Sequence, residues 1–419
     1  MDVLYVQTIQ NEFETILSGL VGVLRAQGIR EQSIWRNYYQ IFCAIRKFHH
    51  QSGKRFYDYK TLSEFEIAAK ARYHNGEISR NYCNIILKCV DRIREYVTTG
   101  DLQWSRRPTN ACTSLNEKHE TILQDFLNSL DVAPTTIGDI SWSVRKYLSF
   151  VETHKLNFTE VTIDDLRSFY IFCSKHLTKS SIRNLQCYLR KFHKYLGEKG
   201  YPNLSESAIL NSSIAPEKKL QPALSWDEYH AILDQIDVYT SQGKRDYAMF
   251  VLAASSGMRG IDIINLKLKD IDWINGTINI LQHKTKTSLT LPLTKAAGKA
   301  IQSYILNGRP NCNIEHVFIA AKAPIKKLND SMALNYLIRK YQQKAGISTS
   351  AYDGKGFHSI RRMLGTSMIV SGVSANLTAQ TLGHRNIQTI QQYISLDSKQ
   401  LKECAIDFQG IKPLRGRWK

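Results

Sequence analysis

Between Gly356 and Leu396 the chain carries side chains suited to phosphoryl chemistry. His358 and Arg361 lie three residues apart, His384 follows in Leu382-Gly383-His384, and Tyr393 comes shortly after. Exchanging a phosphodiester by direct displacement needs a nucleophile, donors on the non-bridging oxygens, a base for the nucleophile and an acid for the leaving oxygen. Tyr393 offers the oxygen nucleophile, Arg361 a planar fork of donors, and the two imidazoles offer proton transfer. On a helix His358 and Arg361 share a face. Gly356-Phe357 ahead of them puts both near a helix N-terminus, where backbone dipoles favour an anion. Gly383 reads as a helix C-cap, which leaves His384 at a sharp turn, with Tyr393 on the next helix (Ile387–Ile394). Each residue alone is ordinary. The chain has 12 His and 21 Tyr, and a tyrosine on an apolar helix usually belongs to a core. Order and spacing carry the reading: these four, with two residues from upstream, hold one DNA phosphate while Tyr393 attacks it.

The whole chain has a charge that fits such a substrate. Its 419 residues allow two or three domains, and 56 Lys plus Arg against 37 Asp plus Glu leave +19. That excess favours a polyanion, with nucleic acid ahead of an acidic membrane; the plainer alternative is charge kept for solubility. The N-terminus lacks the pattern of a signal peptide, and no apolar run reaches the length of a membrane span, so no membrane partner is expected. The eight Cys are scattered without metal or redox spacing. A reducing, cytoplasmic setting fits them.

The elements that must position the site follow from periodicity. Residues 9–100 read as helices, with stripes such as Ile34, Tyr38, Ile41, Ile45 and Phe48, and Ser33 as an N-cap. Arg36, Arg46, Lys47, Arg80, Lys88, Arg92 and Arg94 decorate them. Residues 115–200 repeat the theme, and Glu120-Thr-Ile-Leu123 repeats Glu14-Thr-Ile-Leu17, which points to a duplicated helical module. The helix from Ser180 to Leu196 buries Ile182, Leu185, Leu189, Phe192 and Leu196. It carries Lys179, Arg183, Arg190, Lys191 and Lys194, which suit DNA phosphates or, alternatively, plain solvent. After a linker rich in Ser and Pro, Ser225-Trp-Asp-Glu228 is a capping box. A buried helix follows (Tyr247 to Ser255), ended by Gly257, then a short helix near Arg259. Thr277–Leu281 and Ser288–Leu293 are strand-like around the turn His283-Lys-Thr-Lys-Thr287. Helices resume at Lys295–Leu306, Ser331–Lys344, His358–Val370 and Ala375–Leu382. The divisions expected are a helical DNA-binding module (1–105), a second helical module (115–200), a linker (201–222), a catalytic domain (223–396) and a tail (397–419). The fold class is mainly α, multi-domain, with an α+β catalytic domain holding a small antiparallel sheet.

Taken in order, Ser256-Gly-Met-Arg-Gly-Ile-Asp262, Gln282-His-Lys-Thr285 with Leu291-Pro-Leu293, His358-Ser-Ile-Arg361, Leu382-Gly-His384 and Tyr393 resemble the tyrosine recombinase, or phage-integrase-like, family. The resemblance covers residues 222 to about 400; residues 115–200 resemble the family's core-binding domain more loosely. It implies that Arg259 and Arg361 hold the non-bridging oxygens, Lys284 protonates the departing 5′-oxygen, His358 accepts the Tyr393 proton, and His384 donates to the phosphate. Tyr393 would then form a 3′-phosphotyrosyl link. Lys286 lies close enough to be mistaken for Lys284, and either has the alternative of a solvated turn lysine. Asp262 resembles the acid that buttresses the first Arg; otherwise it is a surface carboxylate. Gly260, directly after Arg259, departs from the larger residue many relatives carry.

The function expected is site-specific recombination of double-stranded DNA by an integrase or transposase of a bacterial mobile element. Four copies would act on paired recombination sites through a Holliday junction. No cofactor and no metal are expected: transesterification conserves the bond energy, and the sequence shows no nucleotide-binding glycine loop and no carboxylate cluster of a two-metal nuclease. The rivals are a type IB topoisomerase-like relaxer and an idle DNA-binding accessory protein.

Overall fold

The computed structural model describes residues 13–104, 115–156, 160–201, 204, 222–328, 332–350 and 353–384, with Ile390 and Tyr393. The helix expected at 387–394, apart from those last two residues, and the tail 397–419 lie outside the described residues. Trp104–Lys219 form one compact unit, and Met1–Gln103 with Leu220–Lys419 form another. The fold is mainly helical with one small antiparallel sheet among the described residues.

In the N-terminal part, α1 (Phe13–Ala26) precedes α2 (Glu31–Ile34), which runs through a π-helical turn (Trp35–Tyr39) into α3 (Gln40–Gln51). α4 (Tyr59–His74) and α5 (Arg80–Thr99) follow, capped by the side chains of Asp58 and Ser79. Ser33 is not a cap. The N-cap is Arg30, in extended backbone, and Ser33 already sits within the first turn with its N–H donated to the Arg30 carbonyl. The apolar stripe forms as expected through Ile34, Ile41 and Ile45, while Cys83, Ile86 and Cys89 are buried on α5 where Ile85 and Val97 are only half-buried.

The second unit repeats this order with α6 (Glu117–Asn128), α7 (Pro134–Thr153), α8 (Ile163–Ser174) and α9 (Lys179–Glu198). Ile122, Phe126, Val144, Leu148, Phe169, Leu189 and Phe192 meet in its core. All five apolar residues expected on the inner face of α9 are buried. On its outer side Lys179, Arg183, Lys191 and Lys194 are exposed, but Arg190 is half-buried with its Nε enclosed. Arg190 is thus partly a core residue, and its fit to a phosphate-facing role is weaker than that of the other four.

The remaining described elements come after residue 222. α10 (Trp226–Asp234) starts at the capping box of Ser225 and Glu228, and α11 (Ser241–Ser256) starts at Thr240. α11 begins earlier than its apolar residues imply, because its first turns bury an ion pair. Arg245 donates to Asp246 at 2.7 Å, and Tyr341 donates to the other Asp246 oxygen at 2.8 Å. Such a pair is retained only when its hydrogen bonds are satisfied, as these are. Gly257 ends α11 at φ +63°, and α12 (Gly260–Ile264) follows. The sheet is β1–β2–β3, with β1 (Ile271–Asp272), β2 (Thr277–Leu281) and β3 (Ser288–Pro292) antiparallel in that order. α13 (Lys295–Asn307), α14 (Met332–Lys344) and α15 (His358–Val370) close over one core containing Phe250, Ile263, Ile301, Phe318, Ile338 and Ile360, and α16 (Ala375–Leu382) packs Ala379 and Leu382 into a second, smaller cluster with Ile369. No helix among the described residues is long and apolar enough to cross a membrane.

Candidate active site

Three chain reversals converge on one place: the turn after α11, the β2–β3 hairpin and the turn after α16. Gly257 and Gly383 both lie in the left-handed region, at φ +63°. Both are also close to neighbours: a methyl at Gly257 would meet Leu382 at 2.5 Å, and one at Gly383 would meet the Gln282 amide at 2.3 Å. Only glycine satisfies both demands at these positions.

Arg361, one turn into α15, ties these reversals together. It is buried, and it donates to the Gly257 carbonyl at 2.6 Å, to the Leu382 carbonyl at 2.5 Å and to His384 Nε2 at 3.1 Å. Guanidinium nitrogens only donate, so Nε2 of His384 is the acceptor and its proton sits on Nδ1. The same Nε2 lies 3.3 Å from the Tyr393 hydroxyl. Tyr393 is wholly buried, in a cluster with Ile369, Ala379, Leu382 and Ile390. Its ring lies against α15 at Gly365, where a methyl would come within 3.0 Å.

Arg259 caps α12 and makes one long contact, to the Gly383 carbonyl at 3.4 Å. Its Nη1 and the Nε of Arg361 are buried donors without an acceptor among the described residues. Buried N–H groups are rarely left so, and two from adjacent cations suit an anion's oxygens. Asp262, one turn after Arg259, is buried rather than on the surface, which excludes the surface-carboxylate alternative. Burial raises its pKa, while the His283 N–H, Arg259 and Arg361 hold it down. Asp262 accepts that His283 N–H at 2.8 Å, so it anchors the hairpin turn as well as facing the arginines.

Both lysines of the hairpin turn, Lys284 and Lys286, are exposed. Lys286, at φ +51°, lines a cavity of about 270 Å³ beside Asp262, Lys267, Asp270 and His316. The sequence leaves Gln282 without a role, yet it is the clasp of the hairpin. It is buried; its amide donates to the Leu382 carbonyl at 3.5 Å and accepts from Thr285 at 2.6 Å. It therefore joins the turn bearing Lys284 to the turn bearing His384. Arg362 also escapes a reading by motif: it is buried and donates to the carbonyls of Pro222, at 3.2 Å, and Gly354.

His358 begins α15 as expected, exposed at its outer edge while protein on its other sides strips much of its solvation. That burial, then Arg361, Arg362 and Arg259, lower its pKa to about 4. Burial, then Arg361 and Arg259, lower His384 to about 4 as well. Burial also pushes Arg361 down to about 10, which leaves it charged at neutral pH. The site at rest thus holds cations and neutral imidazoles. Of the two histidines, His384 has its ring against the Tyr393 hydroxyl.

These shifts fix the sign of a pH effect. Unfolded imidazole titrates near 6.5, and both folded rings titrate near 4. Between those values the unfolded chain binds more protons, so their contribution to stability is full above about pH 6.5 and falls as pH drops towards about 4. The melting temperature is therefore expected to decline on acidification across that window, and less steeply in His384→Asn. Equal slopes in the two proteins, measured by calorimetry, would contradict a neutral, half-buried His384.

Known proteins share this architecture. The model of the phage integrase family matches residues 222–400. Integrase/recombinase y4gC of Sinorhizobium fredii (strain NBRC 101917 / NGR234) is 32% identical over 173 residues, covering 41% of this chain and 88% of that protein. Integrase/recombinase y4rA of the same strain is 29% identical over 276 residues, and the chain spans 64% of its length. In the post-cleavage complex of the XerH site-specific recombinase with palindromic difH substrate, the recombinase aligns over 95% of this chain and 97% of its own, with a TM-score of 0.54 and 14% identity. That last likeness is one of fold. The chain belongs to the phage integrase family, the tyrosine recombinases.

Proposed function

We propose that this protein is a site-specific DNA recombinase that cuts and rejoins double-stranded DNA through a 3′-phosphotyrosyl intermediate at Tyr393. The observation that carries the reading is the pair of buried donors on Arg259 and Arg361, without an acceptor among the described residues, beside the Tyr393–His384 hydrogen bond. The scissile phosphate sits against both guanidinium groups, which neutralise the charge that grows on its non-bridging oxygens. His384 Nε2 takes the Tyr393 proton as the tyrosine oxygen bonds to phosphorus, and the bond to the 5′-oxygen breaks. Lys284 gives that oxygen its proton, and His358 donates to the phosphate once the incoming anion has raised its affinity for a proton. A free 5′-hydroxyl reverses the steps. Asp262 and Gln282 hold the hairpin in register.

On this reading α6–α9 contact the DNA backbone through Lys179, Arg183, Lys191 and Lys194, and the elements after residue 222 carry the chemistry. Four copies acting on two sites, with strands exchanged through a Holliday junction, complete the proposal; a lambda integrase tetramer bound to a Holliday junction shares the fold at a TM-score of 0.54 and 14% identity. The setting is the cytoplasm, on a mobile element's DNA.

The role of Lys284 is separable from the rest. Lys284→Ala is expected to slow cleavage about 100-fold or more, the usual scale for a lost proton donor. A substrate whose 5′-bridging oxygen is replaced by sulfur leaves without a proton, so it should restore that variant close to the parent rate and leave Lys286→Ala unaffected. The measurement is single-turnover appearance of covalent adduct on both substrates; a sulfur substrate that rescues Lys286→Ala instead would reassign the acid.

A further inference from the structure

Arg362 is a buried cation that takes no part in the steps above. Burying a guanidinium is unfavourable unless well-placed acceptors offset it. Among the described residues none of its acceptors is a carboxylate: Nε donates to the Pro222 carbonyl at 3.2 Å, and Nη2 donates to the Gly354 carbonyl. Those carbonyls belong to different segments. Gly354 lies shortly before His358, and Pro222 opens the stretch that leads into α10. Arg362 directly follows Arg361 and stands one turn after His358 on α15.

Each segment is fixed at further points. Ahead of His358, Asp353 accepts two bonds from Arg339, at 2.8 and 2.5 Å. The Lys355 carbonyl accepts from Gln342 at 2.8 Å, and the Phe357 N–H donates to Asn335 at 2.9 Å. All three partners lie on α14. The stretch 222–228 is joined to α15, or to the residues just ahead of it, at three places. Lys355 donates to Glu228 at 2.5 Å, Arg362 to the Pro222 carbonyl, and Trp226 Nε1 to Ser367 at 2.8 Å. Arg362 touches both segments, which suits a planar fork with several donors. Its charge also reaches His358. There it acts with Arg361, Arg259 and His384 against protonation, whereas the cations that act on His384 are Arg361 and Arg259.

We propose that Arg362 is a positioning residue for strand cleavage: by pinning Gly354 and Pro222 to α15, it fixes where His358 and Arg361 stand against the phosphate. This rests on the recombinase reading for the reaction it serves. The two adjacent arginines then divide the work of holding the site. Arg361 ties α15 to the turns after α11 and α16, and Arg362 ties it to the segments that lead into α10 and into α15 itself. Lysine at 362 would keep the charge but lacks the fork that reaches two carbonyls at once.

Full-length protein tests it in two arms. The first is single-turnover adduct formation at saturating duplex, selected by the protein from a random-sequence library. Arg362→Gln is expected to slow adduct formation about 100-fold, the scale of a small misplacement of reacting groups, and Arg362→Lys by at least about 10-fold, with DNA affinity within about twofold of the parent in both. The second arm is ring NMR of isotope-labelled histidine in the DNA-free protein. In Arg362→Gln the His358 midpoint should move up from about 4, because one opposing cation is gone, while His384 stays near its own value. In Arg362→Lys both should stay. General loosening of the fold would move both rings together. Adduct at the parent rate in Arg362→Gln, full recovery in Arg362→Lys, or equal upward shifts of His358 and His384 overturns the positioning role. If the Arg362 variants do not fold, Glu228→Gln decides. It keeps the capping box but loses the charge facing Lys355, and should slow adduct formation about 10-fold at an unchanged melting temperature; a parent rate there overturns the proposal. If the parent protein forms no adduct on any duplex, the recombinase reading falls, and the NMR arm still shows whether Arg362 governs His358.

Discussion

Tyr393→Phe is expected to bind duplex DNA within about twofold of the parent and to form no covalent adduct with it. The substitution removes one oxygen from a ring that is otherwise held by packing. Ile369, Ala379, Leu382 and Ile390 surround that ring, and Gly365 leaves room for its edge; phenylalanine keeps every one of those contacts. The loss is the hydrogen bond to His384, which at 3.3 Å contributes on the order of 1 kcal/mol. Stability should therefore change little, while the nucleophile is gone. The assay is retention of labelled DNA on SDS-denatured protein, run beside a binding titration. Adduct at the parent level in Tyr393→Phe would show that another residue attacks.

Arg259→Ala should lower the rate of cleavage by about 100- to 1,000-fold, the scale of a lost oxyanion donor, with a melting temperature close to the parent's. Among the described residues Arg259 makes one long contact, to the Gly383 carbonyl at 3.4 Å, so little of the described fold depends on it. Arg361→Ala should lose at least as much activity and also stability. Its removal leaves the Gly257 and Leu382 carbonyls without their guanidinium donor, and each such buried group costs about 1–3 kcal/mol. Lysine at 361 keeps a charge but lacks the fork that reaches two carbonyls and an imidazole at once, so Arg361→Lys is expected to rescue neither property. Single-turnover cleavage and thermal melts on the same preparations check this. A large fall in melting temperature for Arg259→Ala, or near-parent cleavage in either variant, would remove the arginines from the phosphate site.

Much of the fold is legible because its signals are local. α15 and α16 begin and end where periodicity puts them, since Gly383 and the cap of Ser374 are set by neighbours in sequence. The β2–β3 hairpin follows from alternation. β1 is missed because a two-residue strand has no period to detect. Ser33 misleads because a hydroxyl in sequence says nothing of whether its own backbone is already helical. The first turns of α11 are hidden because Arg245 and Asp246 look like surface until Tyr341, far along the chain, is seen to complete their burial. The site divides in the same way. Its residues are visible from their order, and Gly257 and Gly383 announce the turns. Which histidine lies against Tyr393 is not visible, because it depends on how Arg361 and the turn after α16 orient the His384 ring. Gln282 carries no chemical signature; its clasp exists only once the hairpin lies against Leu382.

The most direct measurement is to map the covalent bond itself. Duplexes selected by the protein from a random-sequence library would be nicked beside the preferred step, so that cleavage releases a short fragment and the adduct cannot reverse. Digestion and mass spectrometry of the trapped species should place a nucleotide on Tyr393, joined through its 3′-phosphate, with the freed strand ending in a 5′-hydroxyl. A nucleotide on any other residue, a 5′-linked adduct, or cleavage with no protein–DNA bond would contradict the account.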